Sequence, residues 1–274
     1  MRFGIEVVNQ GALADPRRVV ELAVAAESAG WEALFVWDHL AFAWGSSSSD
    51  AFVTLAAVAQ ATQRLRLGAE ITPLARRRPH VVAHQVATLD VLSDGRVTFC
   101  AGLGGEPAEF ERFGEDARPK VRAAKLDEGL EIVAGLWTGE VTVVHGDHSM
   151  ADGVTLVPGP LQRPRVPIWI GGDSKPALRR AARWDGWITT GLWHGEVSTT
   201  PEKIATALAY VREQRGPREA FDVAVTGATS DADDTAWPRA LADAGATWWL
   251  ESLDPERSTI AALHDRVAAG RPQG

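Results

Sequence analysis

The segment RLRLGAEITPLARRRPHVVAHQVATLDVLSDGRVTFCAGLGG (residues 64–105) holds two β-rich apolar runs, Leu65 to Thr72 and Val97 to Gly102. Between them lies a stretch of helical period, Pro79 to Leu92, that ends in the turn residues Ser93-Asp94-Gly95. Strand, helix and strand in this order form the unit of a parallel sheet, because a parallel neighbour is reached only through a crossover.

Outward from this unit the alternation continues to both ends of the chain. Toward the amino end, strand 1 (Phe3 to Val8) leads to a helix from about Pro16 to Ala29, with Asp15 as N-cap, Pro16 at the first helical position and Gly30 just past the end. Strand 2 (Ala33 to Trp37) follows, then a Ser-rich loop and a helix from about Ala51 to Thr62. Toward the carboxyl end, the helix after strand 4 spans about Lys120 to Trp137. Strand 5 (Ile168 to Ile170) precedes a helix over about Ser174 to Trp184, and strand 6 (Gly186 to Thr190) precedes one over Pro201 to Gln214. Strand 7 (Asp222 to Thr226) and strand 8 (Thr247 to Leu250) carry helices over about Thr235 to Ala244, closed by Gly245, and Pro255 to Ala269. Residues 139–166 break the rhythm with a hairpin-like alternation and a Pro-rich segment, too short to bury a core of their own.

Eight strand–helix pairs point to an α/β fold, a (β/α)8 TIM barrel of one domain over residues 1–274, with a β-hairpin insertion at about 139–166 between helix 4 and strand 5. A doubly wound sheet fits less well, since the loop after strand 1, Asn9-Gln10-Gly11-Ala12, lacks a dinucleotide glycine fingerprint. Function in a barrel sits at the carboxyl ends of the strands. That mouth collects Asn9 and Gln10; Trp37, Asp38 and His39; Glu70, Ile71, Thr72 and Pro73; Gly102, Gly104, Gly105 and Glu106; Gly171, Gly172, Asp173 and Ser174; Thr190, Gly191, Trp193 and His194; Gly227; and Glu251 and Ser252.

Composition narrows the partners. The 274 residues are 45% hydrophobic and 23% charged, a normal globular balance. No window approaches the roughly 18 apolar residues of a membrane span, and MRFGIEVV is too short an apolar stretch for a signal peptide, so a cytoplasmic protein without membrane contact is expected. The single Cys100 excludes an intramolecular disulfide and a cysteine-based zinc cage. A net charge of -8 argues against nucleic acid as a partner. With 11 Trp against 1 Tyr and 8 Phe, some indoles are expected to line a pocket.

Four constellations carry the chemistry. Gly171-Gly172-Asp173-Ser174, between strand 5 and its helix, offers backbone N–H groups and a helix dipole to a phosphate; the same residues also make a glycine turn with Ser174 as N-cap. The turn Gly102-Leu103-Gly104-Gly105 lets a flat ligand approach the backbone, or is a tight turn and nothing more. In Trp37-Asp38-His39, the imidazole can exchange a proton near neutrality. Arg76-Arg77-Arg78 is the densest positive cluster and is placed to meet an anionic tail or to remain solvated. Trp44 and Trp193 supply flat walls for a pocket or pack in the core. His80 and His84 have metal-like spacing but no Glu between them, and no metal site is expected there.

The chain resembles the bacterial luciferase-like superfamily of flavin- and deazaflavin-dependent oxidoreductases over nearly all of residues 1–270. The resemblance is carried by GWEALFVWDHL (30–40), RLRLGAEITPLARRRP (64–79), QVATLDVLSDGRVTFCAGLGGEPAEFERFG (85–114), RPKVRAAKLDEGLEIVAGLW (118–137) and VPIWIGGDSKPALRRAARWDGW (166–187). It implies a barrel with an insertion, a homodimer and a tricyclic ring in the mouth. It places Asp38 and His39 near the reactive face of that ring and a cis peptide at Glu70-Ile71 against it. Thr72, Gly102 and Gly104 join these as ring-binding residues. Gly171, Gly172, Asp173 and Ser174 are assigned to the phosphate, and Trp37, Trp193, His194 and Glu251 to the substrate pocket. In the branch using coenzyme F420, a Trp after the Asp-His pair and a Glu after the glycine turn assist proton handling. Trp44 and Glu106 match these with a one-residue shift. Relatives more often carry a small residue where Glu70 stands.

The resemblance implies an enzyme that exchanges hydride between F420 and a small organic substrate, with His39 handling the proton. The alternative is an FMN-dependent monooxygenase using reduced flavin and oxygen. A non-catalytic flavin-binding protein and a metal-dependent barrel hydrolase stand as rivals from other classes.

Overall fold

The computed structural model describes residues 1–43, 45–193, 196–216 and 220–273. The barrel strands are β1 (Arg2–Val7), β2 (Ala33–Val36), β3 (Arg66–Ala69, resuming at Thr72–Pro73), β4 (Phe99–Gly102), β5 (Ile168–Gly171), β6 (Gly186–Thr190), β7 (Asp222–Gly227) and β8 (Trp248–Leu253). They are parallel in the order β3-β2-β1-β8-β7-β6-β5-β4. The ring closes where Leu67 bridges Val97 and Thr72–Pro73 pairs with Ala101 and Gly102. The expected single run for strand 3 is thus in two pieces, separated at a cis peptide between Glu70 and Ile71.

The helices are α1 (Pro16–Ser28), α2 (Ala51–Ala61), α3 (Pro79–Leu92), α4 (Pro119–Thr138), α5 (Lys175–Ala181), α6 (Pro201–Arg215), α7 (Ala236–Asp243) and α8 (Ile260–Ala268). Asp15 caps α1 by accepting from Arg17 N–H, and Gly30 follows at φ 83°. α8 begins later than the expected Pro255, because Asp254 accepts from Glu256 N–H and Arg257 and holds that stretch as a turn; Thr259 is the real cap. The insertion is a small hairpin, Thr142–His145 with Met150–Val154. Among the described residues, no helix is long and apolar enough to cross a membrane.

Alternation along each strand sorts the side chains into two cores. Ile5, Leu34, Leu67, Ile168, Ile170 and Val225 pack outward against helices. Ala33, Phe35, Cys100, Trp169, Ile188, Ala224, Trp248 and Leu250 fill the barrel. Phe35 stacks on Trp169 at 5.5 Å between centroids, and Trp169 meets Trp248 at 5.9 Å. Such large rings fit because small residues face them: a Cβ on Gly68 would stand 2.5 Å from the Phe35 ring, and one on Gly186 2.4 Å from Trp169. Tryptophan abundance is largely a matter of core filling, since Trp137, Trp169, Trp187, Trp248 and Trp249 are all fully buried.

Candidate active site

Ile71 caps the barrel filling at its carboxyl end and is itself half-buried. It is seated on two glycines: a Cβ on Gly102 would lie 2.8 Å from Ile71 Cγ2, and one on Gly171 1.8 Å from Ile71 Cδ1. The requirement for glycine at 102 and 171 therefore comes from Ile71. Gly104, at φ 85°, continues the turn, with its carbonyl accepting from Arg122 Nη1 at 2.6 Å. Arg122 also lies over the Phe110 ring, which itself stands against Gly104.

Beyond β2, Trp37-Asp38-His39 forms one wall. Trp37 donates its indole N–H to Glu6, and its ring meets His39 edge-on at 5.4 Å. Asp38, buried, accepts from Arg77 Nε at 2.9 Å and from Arg76 Nη2 at 3.2 Å. Arg76 also donates to the Asp38 carbonyl and, through Nη1, to Glu109 Oε2 at 2.7 Å. The expectation that the arginine run meets an anionic tail is corrected here for two of its members. Arg76 and Arg77 are turned inward onto carboxylates, while Arg78 remains exposed.

Glu109, which sequence reasoning passed over, sits on a short helical turn, Ala108–Glu111, with its side chain fully buried. Its Oε1 lies 2.9 Å from His39 Nδ1 and accepts from Leu40 N–H at 2.8 Å. Burial opposes ionisation of this carboxyl, but the hydrogen bonds from His39 and Leu40 and the charge of Arg76 outweigh it and hold it below the usual carboxylate range. An ionised Glu109 only accepts, so His39 carries its hydrogen on Nδ1, and Nε2 is the proton-accepting atom. The only trace in the sequence was Glu109 preceding the buried Phe110 in the polar stretch after the glycine turn. Glu106, singled out instead, accepts from Ala108 N–H at 3.0 Å and so caps the same turn.

Other expected residues are placed as follows. Glu70 and Thr72 are buried at the tip of β3, and Glu70 Oε2 and Thr72 Oγ1 have no hydrogen-bond partner among the described residues. Asn9 Oδ1, beyond β1, is likewise buried and unpartnered. Gly172, at φ 110°, donates its N–H to Ile188 O, while its carbonyl accepts from Trp187. Ser174 caps α5 by accepting from Ala177 N–H, and Asp173 is exposed beside it. Glu251 is corrected: it pairs in register with Ile5, on the outward face, where Thr229, Trp249 and Arg266 bind its carboxylate. Its neighbour Ser252, in register with Glu6, faces the barrel. Trp193 contributes backbone to a two-residue strand, Leu192–Trp193. Trp44 and His194 lie outside the described residues.

The luciferase-like monooxygenase profile matches residues 1–272. An uncharacterized protein of Mycobacterium tuberculosis is 31% identical over 232 residues, covering 78% of each chain. An F420-dependent glucose-6-phosphate dehydrogenase of Nakamurella multipartita is 36% identical over 180 residues, 64% of this chain and 52% of that one. A solved F420-dependent secondary alcohol dehydrogenase, in complex with an F420-acetone adduct, shares the fold with a TM-score of 0.77 at 19% identity, covering 98% of this chain and 99% of that one. With a match over essentially its whole length, this chain belongs to the luciferase-like monooxygenase family.

Proposed function

We propose that the protein is an oxidoreductase that uses coenzyme F420 to transfer hydride to or from a small organic substrate. The observation that carries this reading is the His39–Glu109 pair, 2.9 Å apart at the barrel mouth, beside a floor made by Ile71. The dehydrogenase of Nakamurella multipartita, F420-dependent by name, supports the choice of coenzyme. FMN-dependent monooxygenation is the second reading, favoured by the family to which the chain belongs.

The residues present suit a flat polar ring. Ile71 offers an apolar face, and Glu70 Oε2 and Asn9 Oδ1 are buried polar atoms without a hydrogen-bond partner among the described residues at the same end of the barrel. Either coenzyme supplies the redox chemistry of its ring. The protein binds and orients: Ile71 holds the ring, and the turn at Asp173 and Ser174 takes the charged tail, since the Gly172 N–H is already donated to Ile188. His39 accepts a proton at Nε2 when the substrate is oxidised and returns it in the reverse direction, while Glu109 keeps Nδ1–H in place. The assembly proposed is a cytoplasmic homodimer, checked by light scattering on the purified protein.

Fluorescence titration of the purified protein with F420 and with FMN tests the reading. Saturable F420 binding with substrate-dependent reduction is expected. Saturable binding of FMN alone would transfer the assignment to the second reading, and binding of neither would remove both.

A further inference from the structure

Two acids meet inside the barrel just below its mouth. Glu70 continues the ladder one residue past the first piece of β3, donating its N–H to Val36 O at 2.7 Å, and so faces the same side as Gly68, whose Cβ position points at Phe35, a member of the barrel filling. Glu70 therefore projects inward above Phe35. On β1, a Cβ on Gly4 would meet Ala33 and Leu250 at 2.8 and 2.9 Å, so Glu6, two residues on, reaches the same interior level.

The two carboxyls are not equally provided for. Glu6 accepts from Trp37. Glu70 is 9% exposed, and its Oε2 is buried without a hydrogen-bond partner among the described residues. Thr72 Oγ1, on the far side of Ile71 in the chain, is in the same condition. The cation nearest in sequence, Arg66, lies lower in the barrel in register with Ala33 and donates to Thr98 Oγ1 at 2.7 Å, while Arg76 and Arg77 are committed to Asp38 and Glu109.

Ionisation of Glu70 is opposed first by burial and then by the charge of Glu6, which together push its carboxyl well above the ordinary range. Glu6 is also raised, by burial, against the hydrogen bonds of Trp37 and Ser252 and the charge of Arg257, with Asp254 adding to the rise. Cys100 from β4 is a further titratable group coupled to Glu70; its thiol is pushed up by burial and then by Glu70 itself, against the charge of Arg66. An acid in this position keeps its proton, and a protonated carboxyl is a hydrogen-bond donor, which a carboxylate is not.

We propose that Glu70 is a neutral hydrogen-bond donor built into the floor of the mouth, available to an acceptor atom of the ring that rests on Ile71. The proposal rests on the coenzyme reading above for the identity of that ring, and on this chain's own residues for the donor. Glu6 is its positioning partner: as the second buried acid at that level, it makes loss of the Glu70 proton costlier.

The test combines infrared spectra of the ligand-free whole protein with fluorescence titrations of F420 and FMN from acid to alkaline pH, on wild type, Glu70→Gln and Glu70→Ala. At neutral pH the wild type is expected to show a protonated-carboxyl stretch that Glu70→Gln lacks. Coenzyme affinity is expected to fall as Glu70 ionises in the wild type, and this component is expected to vanish in Glu70→Gln, whose amide still donates. Glu70→Ala is expected to bind about tenfold more weakly at neutral pH, the loss of one hydrogen bond. Absence of the acid stretch in the wild type, or the same pH dependence in Glu70→Gln, would overturn the proposal. If the stretch is present but neither coenzyme binds at any pH, the coenzyme reading falls, and with it the donation to a ring, while the neutral acid stands.

Discussion

Ile71 occupies the space that any side chain at Gly171 would need: a Cβ there would lie 1.8 Å from Ile71 Cδ1. The mouth is shaped by this contact, because Ile71 is half-buried and packs over the barrel filling.

Gly171→Ala should therefore destabilise the protein by about 1–3 kcal/mol, the usual cost of overpacking, and displace Ile71 toward the ring position. Coenzyme affinity should fall in the same variant. Chemical denaturation and fluorescence titration read the two effects, and a Gly171→Ala protein as stable as wild type with unchanged affinity would refute the seating of Ile71.

His39→Ala should lower turnover by about 10²–10⁴-fold, the range for loss of a general acid or base, with little change in coenzyme affinity. Glu109→Gln leaves a neutral partner on Nδ1 that no longer requires a donated hydrogen, so the imidazole loses its fixed tautomer. A shift in the pH–rate profile should accompany the drop in kcat for Glu109→Gln. An unshifted profile would reduce Glu109 to a purely structural ion-pair partner of Arg76.

Asp38 is expected to be structural in weight despite its place at the mouth. Asp38→Asn leaves Arg76 and Arg77 without one of their carboxylates in a site where Arg76 is 8% exposed, and should cost about 3 kcal/mol. Because the pair is shielded, the loss should persist at high salt, which urea unfolding at two ionic strengths would reveal.

Stability should also record the two kinds of acid. Glu109 titrates low in the folded state, so its contribution is present above the ordinary carboxyl value and is lost as pH falls. Glu70 has the opposite sign. Its folded carboxyl keeps the proton above the ordinary value of 4.5, so the native state binds more protons than the unfolded chain and stability falls as pH rises through that window. Glu70→Gln removes this slope: its Tm should exceed that of wild type at neutral and alkaline pH, by about 2–4 °C for each kcal/mol recovered, and converge with it in acid. Thermal unfolding followed by circular dichroism over that range checks the sign.

The barrel was legible in the residues alone. Period-two runs, helical periods and signals such as Asp15, Pro16 and Gly30 are local, and parallel strands joined by helices close in few ways. The tips of the strands, and with them the neighbourhood of His39, Ile71 and Gly171, followed from the same count. What the tertiary structure decided is which partner each charged group takes. Glu109 reaches His39 from 70 residues away, Arg76 and Arg77 turn inward onto acids from two other loops, and one step of strand register sends Glu251 outward and Ser252 inward. Those choices depend on loop geometry and long-range burial, where a charge without an opposite partner is costly, and no periodic pattern along the chain encodes them.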